Sequence, residues 1–289
     1  MALSWTTALR LGRVSNLPTV WTNIAAGWAL SGAPWHTGVY FGLSLAMSAL
    51  YVGGMYLNDA FDAAWDRVHR PERPIARGEV PLRLVLKMGL ALLATGVVLV
   101  GVLAALGLVS AWALLFTLVL ASLIVYYDLN HKQNAWGPLV MGLCRVGVYT
   151  VAGATSGFPG LAVWVGASLL LGHLVGLTYV AKHETRGQVV RLSPLLLFLP
   201  ALVAAMVVAW AWLPVGLAYA SYTVAAGLAP ALGWGRSRPN PGKAVPALIA
   251  AISLLDAVFV TRAAGTIGVA ACVAAFGLTR FWQRHVPGT

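Results

Sequence analysis

Long apolar runs alternate with short polar gaps along this chain, and most runs are about two membrane spans long. Val14 to Asn58 contains no Lys, Arg, Asp or Glu and breaks near Gly32-Ala33-Pro34-Trp35-His36, which reads as a turn. Met88 to Tyr127 is a second such block, with a turn near Gly107-Leu108-Val109-Ser110. Gln133 to Ala181 is a third, broken at Ser156–Gly160 and carrying one charge, Arg145. Leu192 to Gly235 is a fourth, broken at Trp212-Leu213-Pro214. Ala244 to Leu278 contains Asp256 and Arg262 and reads as two short spans, or as one span plus a helix placed differently. A helix needs about 20 apolar residues to cross a bilayer. Backbone in lipid must satisfy its own hydrogen bonds, which favours helices. The expected fold is all-α: one polytopic transmembrane bundle over residues 1–289, with nine helices or ten.

Pairing the spans into hairpins places every gap between blocks on one side, and the basic residues agree. Arg10 and Arg13 precede the first block. Arg67, Arg70, Arg73, Arg77, Arg83 and Lys87 fill the first gap, and Lys132 the second. Lys182, Arg186 and Arg191 fill the third, and Arg236, Arg238 and Lys243 the fourth. The positive-inside rule then puts the N-terminus and the gaps in the cytoplasm, with the chain in a bacterial inner membrane. The N-terminus shows no obvious cleavage site and reads as a basic lead-in of the mature chain. Composition fits: 60% of residues are hydrophobic and 9% charged, against about 25% charged in soluble domains. The net charge of +11 sits in those loops, which argues against nucleic acid as a partner. Cys144 and Cys272, both in apolar surroundings, support neither a disulfide framework nor a metal cluster.

Acidic residues are scarce, so their placement is informative. Five of the eight fall in one stretch, as Asp59, Asp62, Asp66, Glu72 and Glu79; the others are Asp128, Glu184 and Asp256. The stretch begins where an apolar span ends. If the helix continues, Asn58, Asp62 and Asp66 recur every four residues on one face. Carboxylates one turn apart repel each other, and a cation between them reverses the sign. Mg²⁺ takes hard oxygen ligands, commonly one or two carboxylates plus substrate phosphates. The metal ligands expected here are Asn58, Asp62 and Asp66. A solvated acidic helix end paired with arginines is the plainer alternative.

The pattern NDxxDxxxD at a helix end, followed by a loop containing RPI-x-x-G (Asn58, Asp62, Asp66, Arg73, Pro74, Ile75, Gly78), resembles the first aspartate-rich motif of the UbiA superfamily of intramembrane prenyltransferases. The stretch Tyr127-Asp128-Leu129-Asn130-His131-Lys132 is similar to that family's Tyr-x-x-x-Lys-Arg segment, with His131 at the Lys position and Lys132 at the Arg position. The leader Arg13–Trp21 and the stretch Tyr179–Thr185 look like a divergent EboC-like branch. Motif resemblance runs from residue 10 to about 190. It implies helices around a central, lipid-accessible cavity. It also implies Mg²⁺-dependent transfer of a prenyl group from an allylic diphosphate to an acceptor that the sequence does not name. The catalytic set implied is Asp62, Asp66, Lys132, Lys182 and Glu184. Substrate contacts are expected from Asn58, Asp59, Arg70, Arg73, Tyr127, His131, Arg145, Tyr179 and His183.

The chain departs from that family where a second aspartate-rich motif belongs. Residues 176–186 contain Lys182, His183 and Glu184 but no aspartate. One metal at the first motif, with Lys182 and His183 replacing the second by positive charge, is consistent with this. So is a protein that binds or transports a lipid diphosphate without ionising it. Terpene cyclisation, using the same first step with no separate acceptor, is a third reading. Lys132 reads either as a phosphate contact or as an ordinary positive-inside loop residue. Arg145 either faces the cavity or pairs with an acid such as Asp128. Asp256 is either functional or paired with Arg262. His173 and Asn23 read as interhelical hydrogen-bonding residues. The twelve tryptophans fit interfacial belts.

Overall fold

A computed structural model describes residues 3–131, 134–184, 196–208, 213–229 and 241–288, with backbone alone at 182–184, 206–208, 241–243 and 262. Among these residues all regular secondary structure is helical, with no strand. A short α1 (Trp5–Leu11) leads through a 3₁₀ turn at Val14–Asn16 into α2 (Leu17–Ser31). Then come α3 (Thr37–His69), α4 (Leu82–Ala105), α5 (Ala111–Asn130), α6 (Gly137–Gly153) and α7 (Leu161–Glu184). After a 3₁₀ turn follow α8 (Leu199–Val208) and α9 (Leu213–Tyr222), which runs on as a π-helix, and then α10 (Pro241–Trp282). The turns expected near residues 32–36, 107–110 and 156–160 all separate helices. The break expected at Trp212-Leu213-Pro214 lies partly outside the described residues. Not every one of these ten α-helices is long enough to be a membrane span. Among the described residues six segments are long and apolar enough to cross a membrane, and α6, Leu196–Ala205 and Leu213–Leu228 are shorter apolar helices.

α10 holds two of the six, Ala244–Thr261 and Ala263–Trp282. They meet at Gly265, whose φ of 52° and ψ of −143° exclude a side chain. Gln283 then donates to the Pro246 carbonyl at 3.1 Å, so the second arm returns beside the first. The first arm is packed inside the bundle and the second faces outward. The last apolar block is thus a hairpin.

Packing divides the bundle around α2 and α6. One apolar cluster joins these two to α3, α4 and α5; another joins them to α7, α8, α9 and α10. α3 and α4 approach closely because Gly53 and Gly89 face each other. A Cβ on Gly53 would lie 2.9 Å from the Gly89 carbonyl oxygen. Small residues permit such contact in helices that cannot rely on hydrophobic exclusion by water.

The two ends of the bundle are built differently. At one end Ser110 ties the α4–α5 turn to the α6–α7 turn, donating from N to the Thr155 carbonyl and from Oγ to that of Ala154. The other end collects the charged residues of the first motif. α3 reaches it because it has 33 residues, about 50 Å at 1.5 Å per residue. Its apolar part, Thr37–Leu57, covers about 31 Å at that rise, close to the thickness of a bilayer core.

Candidate active site

α3 ends at Arg70 before Pro71, and the loop after it folds back onto the helix. Ile75 and Val80 are buried against Leu11, Tyr56, Ala60 and Ala63. Gly78 turns the chain at φ 73°, a conformation that favours glycine. This anchoring explains RPI-x-x-G physically: isoleucine docks the loop, glycine turns it, and Arg73 is delivered to α3. The Arg73 Nη1 donates to Asp59 Oδ1 at 3.3 Å.

Asp59 accepts a second arginine. Arg13 Nη2 donates to the same oxygen at 3.1 Å and to Asn58 Oδ1 at 3.3 Å. Arg13 is the one non-glycine residue with positive φ among those described, at 42°. That left-handed conformation costs about 1–2 kcal/mol. Burial acts to lower the Arg13 pKa, but Asp59 and other neighbours carry it above its ordinary value; burial and the nearby Arg13 leave Arg73 below its own.

The second gap closes over the other side of α3. Asn58 Nδ2 donates to Asp128 Oδ1 at 3.1 Å, while Asp128 Oδ2 is buried with no hydrogen-bond partner among the described residues. His131 caps α5, stacks on Tyr127, and places Nε2 3.5 Å from Asp62 Oδ2. Burial lowers the His131 pKa, but the bond to Asp62 and the charges of Asp62 and Asp128 outweigh it, and the net shift is upward.

These residues surround the mouth of a cavity of about 880 Å³. Arg13, Arg70, Arg73, Asn58, Asp59, Asp62, Tyr127 and His131 all line it. Below them the wall becomes apolar, with Leu174 and Leu177 from α7 and Val245, Ile249 and Ile252 from α10. The described lining includes Asn58 and Asp62 but not Asp66, which is buried at the next turn of the same face. Among the described residues no three His, Cys, Asp or Glu side chains converge as a metal cluster. The donor set still suits a hard cation, because Mg²⁺ commonly takes one or two carboxylates and completes its shell with substrate phosphates.

The UbiA prenyltransferase family model matches residues 16–245, a span that takes in the charged mouth apart from Arg13 and the apolar walls as far as Val245. The chain belongs to the UbiA prenyltransferase family. The match extends beyond the motif-bearing region, which the sequence pattern ended near residue 190. A digeranylgeranylglyceryl phosphate synthase from Ignicoccus hospitalis is 34% identical over 159 residues, covering 55% of this chain and 48% of that protein. A synthase of the same name from Thermococcus kodakarensis is 47% identical over 47 residues, 16% of this chain and 17% of that protein. The chain thus spans about half the length of the first relative and less of the second. A UbiA homologue from Archaeoglobus fulgidus bound to GPP and Mg²⁺ shares the fold, with a TM-score of 0.62 at 15% identity over 94% of this chain and 99% of that one.

The remaining expected residues fall as follows. Arg145 lines the cavity and donates to Asn23, with no ion pair to Asp128. Asp256 accepts from Thr22, Asn23 and Tyr149, and the Arg262 side chain is outside the described residues. His173 bridges Tyr219 and the Leu248 carbonyl, both at 2.9 Å. Tyr179 is half-buried on α7 and is not part of the described lining, to which its neighbours Thr178 and Ala181 belong. Lys132 lies outside the described residues, as do the side chains of Lys182, His183 and Glu184 at the end of α7. Arg13, Tyr51 and Asn16 are site residues that the sequence pattern does not single out. Arg13 carries only the signals of a positive-inside charge and of its place in the leader Arg13–Trp21, and neither points to a pairing with Asp59.

Proposed function

We propose that this chain is an intramembrane prenyltransferase that uses an allylic prenyl diphosphate as donor. The observation that carries the reading is one cavity with two zones, a charged mouth above apolar walls. A prenyl diphosphate has the same division, a polyanionic head on a hydrocarbon chain. Arg13 and Arg73 supply planar donors suited to phosphate oxygens, and Asp59 holds both in place. Arg70 and His131 add positive charge at the mouth. Asn58 and Asp62 would hold Mg²⁺, with Asp66 completing the proposed set from the same helix face. When bound, Mg²⁺ neutralises diphosphate charge and stabilises it as a leaving group.

The allylic carbon–oxygen bond breaks, and the diphosphate leaves with the bonding electrons. The apolar walls keep water from the electron-poor allylic carbon. The acceptor supplies the electron pair for the new bond and gives up a proton. Lys132 and Lys182 belong to the proposed site as further cations for the diphosphate. Tyr179, His183 and Glu184 are placed beside them by the sequence pattern. The names of the archaeal relatives support a prenyl donor and a lipid-linked acceptor. We further propose a single domain in a cytoplasmic membrane, with the N-terminus and the charged mouth facing the cytoplasm.

The test uses purified protein with geranyl, farnesyl and geranylgeranyl diphosphates. It should release pyrophosphate only with Mg²⁺, and Asp62→Ala should lower turnover by at least about 100-fold, the scale of losing one electrostatic stabiliser. Full turnover in both Asp62→Ala and Asp66→Ala would sink the assigned site. Binding of every donor without pyrophosphate release identifies a lipid-diphosphate carrier instead. A product lacking acceptor mass identifies a cyclase.

A further inference from the structure

Beneath the charged mouth the cavity has one more charged residue, and its surroundings are unusual for an arginine. Arg145 lines the cavity yet is only 8% exposed. Its Nη1 donates to Asn23 Oδ1 at 3.0 Å, and its guanidinium lies 5.2 Å from the Tyr51 ring centroid. Among the described residues no carboxylate lies within ion-pair distance of it. Buried charges are normally paired, because leaving water is costly.

Asp256, the acid whose charge acts on Arg145, is kept one residue away by Asn23. Its carboxylate already accepts from Thr22 Oγ1, Asn23 Nδ2 and the Tyr149 hydroxyl. The carboxylate draws the amide nitrogen of Asn23, which leaves the amide oxygen for Arg145. Asn23 is therefore a spacer that fixes one edge of the guanidinium. Among the described residues this is the one side-chain hydrogen bond Arg145 makes, and the residue lines the cavity.

Depth separates this group from the mouth. Tyr51, against which Arg145 stacks, precedes Asn58 by seven residues of α3, about 10 Å along the axis. It precedes Asp62 by eleven, about 16 Å. By this axial measure a diphosphate held at Asn58 and Asp62 lies about two helical turns above the level of Tyr51. Met141, Ile249 and Leu177 line the same cavity, with Asn16 and Thr178. We infer that Arg145 forms a second anion subsite, one that receives a carboxylate or phosphate of the acceptor. This deepens the prenyltransferase reading and rests on it, since it assigns the mouth to the donor. The acceptor would enter with its oxyanion on Arg145 and its nucleophilic atom directed up toward the allylic carbon. Its negative charge would also balance Arg145 near a carbon that becomes positive during the reaction.

The test is calorimetric titration of purified protein preloaded with Mg²⁺ and geranyl thiolodiphosphate, a donor analogue that does not ionise readily. The probes are benzoate and phenyl phosphate, with benzamide and benzyl alcohol as neutral counterparts. At least one anion should bind alongside the donor analogue, and the neutral probes at least about tenfold more weakly. Arg145→Gln should cut anion affinity at least about tenfold while leaving thiolodiphosphate binding unchanged. Arg145→Lys should keep part of it, because charge survives although the planar stacking is lost. The tighter of the two anions identifies the acceptor class. Displacement of the anion by thiolodiphosphate, equal binding of neutral probes, or full anion affinity in Arg145→Gln would overturn the proposal. If Arg145→Gln does not fold, the neutral probes and Arg145→Lys decide. Failure of wild-type protein to bind thiolodiphosphate would refute the donor site instead. The anion titration, repeated without the analogue, would still report on Arg145.

Discussion

Replacing Asp59 with asparagine keeps the shape of the side chain and removes its charge. The carboxylate is 4% exposed and one of its oxygens receives both Arg13 and Arg73, at 3.1 and 3.3 Å. A hydrogen bond to a charged group contributes about 1.5–3 kcal/mol. The two guanidinium side chains retain 16% and 19% of their exposure, so water offsets part of the loss. Asparagine also retains one acceptor oxygen. Together these give a destabilisation of about 2–3 kcal/mol, at the lower end for breaking a buried pair. At about 2–4 °C per kcal/mol for a chain of this class, Tm should fall by roughly 4–12 °C. The measurement is thermal unfolding in detergent, with and without millimolar pyrophosphate. Pyrophosphate should recover part of the loss, because an anion at the mouth re-pairs the two arginines. A Tm within about 1 °C of wild type, set against that expected fall, would refute the reasoning. So would a loss that pyrophosphate leaves untouched.

Other consequences are open to direct measurement. In Mg²⁺-free protein the His131–Asp62 contact should stabilise the fold at low pH: the raised His131 pKa makes this contribution complete below about 6.5 and lost as pH rises through the folded value. His131→Asn should flatten that part of a Tm-against-pH profile. The same pairing competes with metal at Asp62, so Mg²⁺ affinity measured by titration should fall between pH 8 and pH 6 in wild type and much less in His131→Asn. Removing Mg²⁺ with a chelator should abolish pyrophosphate release without lowering helical circular dichroism, because the bundle is held by packing away from the site. Gly53→Val should disrupt the α3–α4 contact, since even a Cβ would meet Leu93 Cδ1 at 2.6 Å and the Gly89 oxygen at 2.9 Å. The expected cost is about 1–3 kcal/mol, read as lower Tm and yield.

Much of the bundle is legible in the sequence because charge is so rare in this chain. Uninterrupted apolar runs mark α2 to α7, and the turns at residues 32–36, 107–110 and 156–160 follow from Gly and Pro. The spacing of Asn58, Asp62 and Asp66 predicts a shared helix face, and α3 runs through all three. Other features depend on contacts between distant segments, which local pattern does not encode. Proximity in sequence offers Arg262 as a partner for Asp256, but the donors to Asp256 come from α2 and α6. Asp128 is an acid available to Arg145 by sequence, yet it bonds Asn58 instead. Nothing about an arginine announces a left-handed backbone, so the role of Arg13 shows only in the position of Asp59 between it and Arg73. The hairpin at Gly265 is one of two readings of the last block, and a single glycine conformation decides it.

The length of α3 has a consequence for how this protein senses its surroundings. Its apolar stretch is matched to a typical hydrocarbon layer, and Asn58 follows at the very next residue. The chemistry therefore rides at a height set by lipid rather than by flexible loops. In a bilayer of longer acyl chains the helix must tilt or draw its polar end inward. That would change how easily a water-borne headgroup reaches the mouth. Reconstitution in lipids of graded chain length should thus give a turnover optimum, a membrane-thickness dependence written into the register of one helix.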